Sequence, residues 1–460
     1  MSEFAAIILA AGKGTRMKSK LPKVLHKLSG KPMLEHVLDA AGEAGVDDEI
    51  VIVGFGSEKV TEFLGTRARV AIQKEQLGTG HAVLQARDLL GGEKGTALIL
   101  CGDTPLLEGA ELKKFYETHL ESGAGVSVLT ADAPNPFGYG RILRDSVGRV
   151  TGIVEEKDAS EAQRKIHEIN TGIYCVEMPL LFTLLENLSN DNAQGEYYLT
   201  DILAECLKRG RDVCGIKTQD FDMVMGINSR RQLAQAQRVM NERIVGRLMD
   251  EGVTIMDPST TFVEKGVKVG RDTVLYPFTL LEGETEIGED CVIGPNVRFT
   301  NVTVGHGSSI QFAYAHDCRV GNGVTMGCFN HLRPHTVLSD HVKVGNFVEV
   351  KNSTFGEGSK LPHLQYIGDS DIGSGVNMGC GTITVNYDGK EKHRTTIEDN
   401  AFVGCNSNLV APVTVGRGSY VAAGSTITKN VPEDALAVAR GKQVNLEGWA
   451  KKHREKSGCF

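Results

Sequence analysis

FAAIILAAGKGTRMKSKLPK, residues Phe4–Lys23, opens the chain with an apolar run that leads into a glycine loop. The run Phe4–Ala10 predicts a short strand buried on both faces, of the kind that feeds a loop at the carboxyl edge of a parallel sheet. Gly12 and Gly14 let main-chain N–H groups approach an anion closely, and Arg16 can hold phosphate oxygens through two donors. The stretch therefore predicts either a phosphate cradle or a strand-to-helix turn with a solvated basic loop.

The loop is neither a P-loop nor a dinucleotide-binding fingerprint. The pattern GxxxxGK[ST] is absent, and Met17 stands where G-x-G-x-x-G needs its third glycine. LAAGKGTRM followed by LPK instead resembles the signature of the sugar-nucleotidyltransferase family, whose loop holds a nucleoside triphosphate and whose later lysine contacts phosphate. The resemblance implies nucleotide-binding roles for Leu9, Ala11, Gly12, Gly14, Arg16 and Lys23.

Composition limits the class of protein. The chain has 460 residues, enough for two or three domains, and its net charge of −8 argues against general nucleic-acid binding. Its ten cysteines include no CxxC pair and no Cys/His ligand spacing, which argues against a disulfide framework and a zinc site. We find no targeting segment or membrane span, and we expect a cytoplasmic protein with free thiols.

Short apolar strands alternate with helices through the first half of the chain. This alternation predicts an α/β doubly wound, mostly parallel sheet of Rossmann-like type, with ligands outside the carboxyl ends of its strands. The predicted helices are Pro32–Ala44, Val60–Leu64 and Gly80–Leu90, and the predicted strands are Glu49–Val53, Val70–Ile72 and Ala97–Cys101.

Two polar segments follow predicted strands. Gln73 and Gln76–Gly80 supply amide and hydroxyl groups suited to a base edge, although spacing alone also fits a loop N-capped by Thr79. Asp103 follows a buried strand and precedes Thr-Pro, which suits a hard cation or a turn aspartate that bonds its own backbone. In the resembling family the first segment reads uracil and the second ligates magnesium. The resemblance implies base contacts for Gln73, Gly78 and Thr79 and metal ligation by Asp103.

Later loops extend the resemblance to a sugar site. Taken alone, GYGR, VEEK and EINTG read as loops or strand ends. In the family these elements contact an N-acetylated sugar, and the stretch QGEYYLTD shapes the sugar side. The implied sugar contacts are Gly140, Glu155 and Asn170.

The charges and the resemblance together imply a reaction. A sugar-1-phosphate oxygen attacks the α-phosphorus of UTP and pyrophosphate leaves, so catalysis is mostly positioning and neutralisation of charge. By the resemblance, Asp103 and Asn228 hold Mg²⁺, Asn228 also belongs to the nucleotide-sugar site, and Arg16 and Lys23 stabilise the leaving group as catalytic residues.

The second half of the chain is a hexapeptide repeat. From about Val263 an aliphatic residue recurs every sixth position, often followed by glycine, as in VKVGRD, TEIGED and VTVGRG. Phased hexads predict a parallel β-helix in which each hexad is one short strand and a tight corner. The pattern resembles hexapeptide-repeat acyltransferases, which implies a left-handed β-helix, a homotrimer and acyl-coenzyme A sites between subunits. The predicted boundaries are 1–228 for the uridylyltransferase, 229–251 for an amphipathic linker helix and 252–460 for the β-helix with its tail.

Polar residues interrupt the repeat between 332 and 388. Arg333 and Lys351 suit a sugar phosphate, and His363 suits a general base, because an unperturbed imidazole titrates near pH ~6.5. The chain has thirteen histidines, so a surface role for His363 stays open on sequence alone.

Read end to end, the chain resembles a family of bacterial bifunctional transferases, through NFVEVK, HLQYIGD, NMGCGTIT, NYDG and the late LEGW. These enzymes acetylate glucosamine-1-phosphate with acetyl-coenzyme A and then transfer UMP from UTP to N-acetylglucosamine-1-phosphate, which supplies a precursor of peptidoglycan and lipopolysaccharide. By this resemblance His363 is the catalytic base and Asn386 orients the amine. Glucosamine-1-phosphate binds Arg333, Lys351, Tyr366 and Asn377. Acetyl-coenzyme A binds Cys380, Asn386, Tyr387, Lys392, Cys405, Ala423 and Arg440.

Two other functions compete with this one. A nucleotidyltransferase with one activity would use its β-helix only for oligomerisation, and a non-enzymatic scaffold would need the polar cluster to be accidental. The cluster at irregular positions of the repeat argues against both.

Overall fold

The computed structural model describes residues 3–90, 92 and 94–457, and the chain divides into two compact units, residues 1–241 and 242–460. The boundary falls inside one long helix, Arg230–Asp250. Among the described residues, every helix is too short or too polar to cross a lipid bilayer.

The first unit is an α/β fold built on a mixed sheet. Its strands are β1 Phe4–Ala10, β2 Lys27–Leu28, β3 Lys31–Pro32, β4 Asp48–Val53, β5 Arg69–Ile72, β6 Thr96–Cys101, β7 Val126–Asp132, β8 Arg141–Arg144, β9 Val150–Val154, β10 Glu168–Glu177 and β11 Val213–Thr218. Its helices are α1 Met33–Glu43, α2 Ser57–Leu64, α3 Thr79–Leu84, α4 Arg87–Leu90, α5 Gly109–Ser122, α6 Glu161–Arg164, α7 Met178–Leu185 and α8 Ile202–Lys208, followed by α9 Arg230–Asp250.

The sheet has the strand order β11-β7-β10-β6-β1-β4-β5. Strand β1 is parallel to β4 and β6, whereas β10 runs antiparallel to β6 and β7. Along β1, Ile7 and Ile8 are fully buried in two different hydrophobic cores, as expected for a strand covered on both faces. The predicted doubly wound sheet is confirmed. Strand β10 is antiparallel within its main order, and the antiparallel pair β8 and β9 joins the sheet through β10.

One predicted helix is wrong in its extent. The segment Gly80–Leu90 forms two helices, α3 and α4, because the chain tightens into i→i−3 bonds at Gln85 and Ala86.

The second unit is a parallel β-helix. Its strands are β12 Thr254–Ile255, β13 Phe262–Val263, β14 Lys268–Val269, β15 Val274–Leu275, β16 Thr279–Glu282, β17 Glu286–Ile287, β18 Val292–Ile293, β19 Val297–Val304, β20 Ser309–Ile310, β21 Ala313–Val320, β22 Thr325–Met326, β23 Asn330–Leu332, β24 Val337–Leu338, β25 Lys343–Lys351, β26 Thr354–Phe355, β27 Lys360–Gly368, β28 Ser370–Ile372, β29 Asn377–Met378, β30 Ile383–Val385, β31 Thr395–Ile397, β32 Phe402–Val403, β33 Asn408–Val410, β34 Val413–Val415, β35 Tyr420–Val421, β36 Thr426–Ile427 and β37 Leu436–Ala437. Helix α10, Trp449–Ser457, follows.

Each coil of the β-helix takes about three hexads and has three faces. On face A, Val274 pairs with Val292 of the next coil. Face B follows face A along the chain and pairs Arg298 with Tyr314, and face C follows face B and pairs Arg319 with Val337. Inward residues such as Leu275 and Ile293 are fully buried. The repeat begins at Thr254, one hexad earlier than its sequence pattern indicates.

The corners between faces repeat one backbone conformation. At edge AB, where face A turns into face B, a residue with positive φ recurs on successive coils. These residues are Phe278, Asn296, Phe312, Phe329, Phe347, Leu364, Gly381, Asn406 and Gly424. Phenylalanine takes four of these positions although a side chain is strained there. Edge BC, between faces B and C, uses Asn301, Asp317, His335, Asn352 and Asp369.

Candidate active sites

A cavity of about 250 Å³ lies at the carboxyl ends of the central strands of the first unit. Its lining residues are Leu9, Ala10, Ala11, Gly12, Lys23, Val24, Gln73, Gln76, Gly78, Thr79, Ala82, Cys101, Asp103 and Glu196. Most of the predicted nucleotide residues therefore lie around one cavity. Gly14, Arg16, Gly140, Glu155, Asn170 and Asn228 do not line it, and Arg16 is exposed in the short 3₁₀ helix Thr15–Met17.

The Lys23 ammonium lies between two oxygen ligands that come from distant parts of the chain. It forms an ion pair with Asp103 and donates to Oδ1 of Asn228 at 3.0 Å. The main chain ties these oxygens together, because Ile227 N–H donates to the Asp103 carbonyl at 2.9 Å. Gly14 has φ 57°, and a Cβ there would lie 2.7 Å from the Lys23 Cβ. The glycine loop thus leaves room for the lysine stem, and two side-chain oxygens converge on a cation.

The segment predicted to read the base packs against the segment 196–199. Gly78 has φ 111°, and an added Cβ would lie 2.6 Å from the Tyr197 carbonyl. Gly80 N–H donates to the same carbonyl at 2.8 Å, and the Thr79 hydroxyl accepts from Leu199 N–H at 3.0 Å. The Gln73 amide donates to the Gly78 carbonyl at 3.0 Å. Glycine is required at 78 by this close approach. The QGEYYLTD stretch, predicted to shape the sugar side, packs against the segment predicted to read the base.

The three predicted sugar residues lie next to one another. Asn170 N–H donates to the Gly140 carbonyl at 2.9 Å, and a Cβ on Gly140 would lie 3.4 Å from a Glu155 carboxylate oxygen. Burial raises the pKa of Glu155, and the nearby Asp201 carboxylate raises it further. The side-chain oxygen Oδ1 of Asn170 accepts from the buried Tyr174 hydroxyl at 3.0 Å. These contacts hold an amide and a carboxyl group beside Gly140, where an added Cβ would also lie 3.0 Å from Ile153.

Arg141, for which the sequence predicted no role, is buried and directly follows Gly140. Its guanidinium donates to the Glu156 carboxylate at 2.7 Å, to the Tyr139 carbonyl and to the Arg164 carbonyl at 3.4 Å. The same guanidinium lowers the pKa of Glu156. The GYGR motif contained the signal, since an arginine within an apolar strand pattern needs buried acceptors. Arg141 therefore fixes the turn that carries Gly140.

Tyr139 connects this turn to Asp103 and Asn228, the two predicted metal ligands. Its ring packs edge-on against Phe221, and its hydroxyl is hydrogen-bonded to the main chain of Gly226. Burial raises the pKa of Tyr139, and the Asp103 carboxylate adds to the rise. Tyr139 therefore joins the turn that carries Gly140 to the segment that bears Asn228.

In the second unit, positive side chains collect along edge BC. The neighbouring Lys392 ammonium lowers the pKa of Lys351, with burial as the next cause, and Arg333 adds to the effect. Arg333 pairs with Glu349 at 2.9 Å. Two ammonium groups this close together form a site that favours an anion.

Asn386 is held at the same edge. Its amide and that of Asn352 both donate to the Asp369 carboxylate, and these bonds lower the pKa of Asp369 overall although burial opposes them. A Cβ on Gly368 would lie 2.5 Å from the Tyr366 hydroxyl and 2.7 Å from the Asn386 amide nitrogen. Gly368 thus makes room for both side chains. Tyr387 and Lys392 pair across the loop that follows Asn386.

The remaining predicted acetyl-transfer residues lie along edge AB. Backbone hydrogen bonds link His363 to the coil of Cys380, Cys380 to the coil of Cys405, and Cys405 to the coil of Ala423. The Arg440 guanidinium donates to the Ala423 carbonyl at 2.7 Å.

A single chain does not bring the whole acetyl-transfer set together. Arg333, Lys351 and Asn386 lie at edge BC, His363 lies at edge AB across face B, and Asn377 lies on face A. Tyr366 lies between the two edges on face B.

Comparison with known proteins agrees with this two-part organisation. The nucleotidyl transferase family matches residues 5–223, and the bacterial transferase hexapeptide family matches residues 266–301 and 394–429. Proteins named Bifunctional protein GlmU are similar over nearly the whole chain. That of Geobacillus sp. (strain WCH70) is 54% identical over 96% of this chain and 97% of its own length. That of Heliobacterium modesticaldum is 53% identical over 99% of both chains. This chain belongs to the GlmU family.

Family membership establishes the class of activity. The chain is a bifunctional enzyme of UDP-N-acetylglucosamine synthesis, with a uridylyltransferase in the nucleotidyl transferase unit and a glucosamine-1-phosphate acetyltransferase in the left-handed β-helix.

Replacement of Arg141 by Met should destabilise the first unit by about 3–5 kcal/mol, because Glu156 and two carbonyls would lose a buried donor. Arg149→Met is the matched control, since its pair with Asp145 is largely exposed and should contribute little to stability. Thermal unfolding of the two variants measures the difference. Equal melting temperatures would contradict the role assigned to Arg141.

Proposed function

We propose that the first-unit cavity binds UTP and N-acetylglucosamine-1-phosphate and that the residues around it position the two anions for transfer. The glycine loop, Arg16 and Lys23 hold the triphosphate, and the Gln73 to Thr79 segment reads uracil. Gly140, Glu155 and Asn170 hold the sugar. The observation that carries this proposal is the meeting of Lys23, Asp103 and Asn228 beside the cavity.

The donor set fits a magnesium ion. Asp103 and Asn228 supply a carboxylate and an amide oxygen, ligands that Mg²⁺ prefers, and both already contact a cation in the form of Lys23. When bound with nucleotide, Mg²⁺ would neutralise phosphate charge. Lys23 is then free to turn towards the phosphates, where its ammonium stabilises the departing pyrophosphate.

Asp103→Ala should lower uridylyl transfer by about 10²–10³-fold, because it removes both the magnesium ligand and the anchor of Lys23. Pyrophosphate release from UTP and N-acetylglucosamine-1-phosphate measures it. Asp132→Ala, whose carboxylate is exposed beside Lys217, serves as control and should be near normal. Near-normal magnesium-dependent turnover by Asp103→Ala would refute the assignment.

We propose that the β-helix acetylates glucosamine-1-phosphate before uridylyl transfer. Arg333 and Lys351 bind the sugar phosphate, Tyr366 and Asn377 complete the sugar contacts, and Asn386 orients the amine. His363 takes the amine proton as the nitrogen attacks the acetyl carbonyl. Cys380, Tyr387, Lys392, Cys405, Ala423 and Arg440 hold acetyl-coenzyme A. Support comes from the change along edge AB from phenylalanine to Gly381, Asn406 and Gly424, which removes the apolar rings, and from the open space at Gly424, where an added Cβ would meet no atom within 4 Å.

His363→Ala should lower acetyl transfer by about 10²–10⁴-fold and leave uridylyl transfer unchanged, because the base acts only in the β-helix. Thiol release from acetyl-coenzyme A with glucosamine-1-phosphate, without UTP, measures the first activity. His306→Ala, an exposed histidine of the same β-helix, is the control. Loss of both activities in His363→Ala would indicate misfolding and remove support for the assignment.

We propose that the protein is a cytoplasmic homotrimer and that copies meet along the part of edge AB that carries phenylalanines, from Phe278 to Phe347. Phe329 is 60% exposed; its ring stacks on Phe347 at 5.3 Å and lies tilted against Phe312 at 5.5 Å. Phe278, Phe312, Tyr314 and Phe329 line an apolar hollow, and Phe347 continues it along the edge. A continuous apolar edge of this size favours burial against another copy.

Phe329→Glu should dissociate the assembly and abolish acetyl transfer while uridylyl transfer continues, because a charge cannot be buried unpaired in the interface. Thr303→Glu introduces the same charge on exposed face C and should leave assembly intact. Sedimentation velocity with both activity assays distinguishes them. A wild-type monomer with full acetyl transfer would contradict the proposal.

A further inference from the structure

Two cysteines lie in register on adjacent coils at edge AB. Asn377 pairs with Phe402 and Met378 with Val403, so Cys380 and Cys405 occupy equivalent positions. The Cys380 carbonyl accepts from Asn406 N–H at 2.7 Å, and a Cβ on Gly379 would lie 2.5 Å from the Cys405 nitrogen. The two backbones are therefore stacked directly on each other at this corner.

The local backbone conformation also repeats at these positions. Each cysteine precedes a residue with positive φ, Gly381 at 74° and Asn406 at 55°. Because the register and the conformation agree, the two Cβ atoms point in the same direction. Cys405 is exposed and Cys380 is half-buried, and both are free thiols.

We propose that Cys380 and Cys405 form a reversible disulfide that switches off acetyl transfer. The switch rests on the proposed role of edge AB in that reaction. A low-molecular-weight disulfide is the oxidant. The exposed Cys405 thiolate attacks it, forming a mixed disulfide and releasing one thiol. The Cys380 thiolate then attacks the Cys405 sulfur, which forms the protein disulfide and releases the second thiol.

The geometry permits this bond and makes it easy to reverse. Adjacent strands lie about 4.8 Å apart, within the Cα range of disulfides. Disulfides bring Cβ atoms to roughly 3.5–4.5 Å, so closure must draw the two corners together by a fraction of an ångström. Strained disulfides are the ones that reduce readily.

Closure would change the edge beside His363. The Gly381 N–H on the Cys380 coil bonds the His363 and Leu364 carbonyls, so movement of the Cys380 corner is transmitted to the proposed base. It also removes the Cys405 thiol from the surface proposed to hold acetyl-coenzyme A. In the first unit, the described cysteines lie on β6, β10, α8 and β11, and burial raises the pKa of the one nearest the cavity, Cys101, to about 12. We therefore expect mild oxidation to leave uridylyl transfer unchanged.

The test incubates the full-length protein with oxidised glutathione. Peptide mapping without reductant should identify a Cys380–Cys405 bond within one chain. Acetyl transfer should fall by about tenfold or more, uridylyl transfer should persist, and dithiothreitol should restore the loss. Each variant is compared with its own reduced form. Cys405→Ser should lose the sensitivity. Cys328→Ser should retain it, because Cys328 lies on the same edge but faces Asn346 on the next coil.

Three results would overturn the switch. These are glutathione adducts without a Cys380–Cys405 bond, a bond that joins two chains, and a bond that leaves acetyl transfer intact. His363→Ala, assayed in parallel, distinguishes a failure of the switch from a failure of the proposed role of edge AB in acetyl transfer. If that variant has lost acetyl transfer while the cross-linked protein retains it, the switch alone is wrong. If both retain it, the role of edge AB in acetyl transfer is also wrong.

Discussion

Hydrogen bonding between successive coils governs the second unit. Each strand pairs in parallel with its equivalent about three hexads later, so a side chain's place on a face or edge follows from its phase in the repeat. A slip of one residue would turn buried aliphatic residues such as Ile293 towards water, which makes the register costly to change. The loop 386–394 is tolerated because it leaves at a corner, and Ser370 pairs with Thr395 beyond it. Function can therefore be added at edges without disturbing the core.

In the first unit, strand pairing in the sheet decides where the site residues lie. Parallel pairing of β1 with β4 and β6 brings strand ends to one edge of the sheet, which places the glycine loop beside Asp103. Asn228 comes from a distant segment and is held there by the Ile227–Asp103 backbone bond. The Lys23 ammonium pairs with the Asp103 carboxylate and also donates to the neutral Asn228 amide oxygen. The site is thus assembled by sheet topology and finished by a few long-range polar contacts.

The sequence was most informative where function and fold repeat a short pattern. The apolar run before the glycine loop and the hexads each have one physical solution, and both were predicted with their approximate bounds. The roles of Arg141 and Tyr139 were not, because their acceptors, Glu156 and the Gly226 main chain, are defined only by tertiary packing. The phenylalanines at positive φ also escaped prediction, since local conformational preference argues against them.

These phenylalanines show how the β-helix divides its edges between assembly and chemistry. Strain at a bulky corner residue must be offset elsewhere, and stacking between Phe312, Phe329 and Phe347 does so only in part, because their rings remain accessible in the single chain. Where the same edge reaches Gly381, Asn406 and Gly424, the phenylalanine rings are absent and only Asn406 carries a side chain at positive φ. The edge therefore changes from a surface suited to another copy of the chain into one on which a ligand can approach the backbone, and His363 lies at the transition.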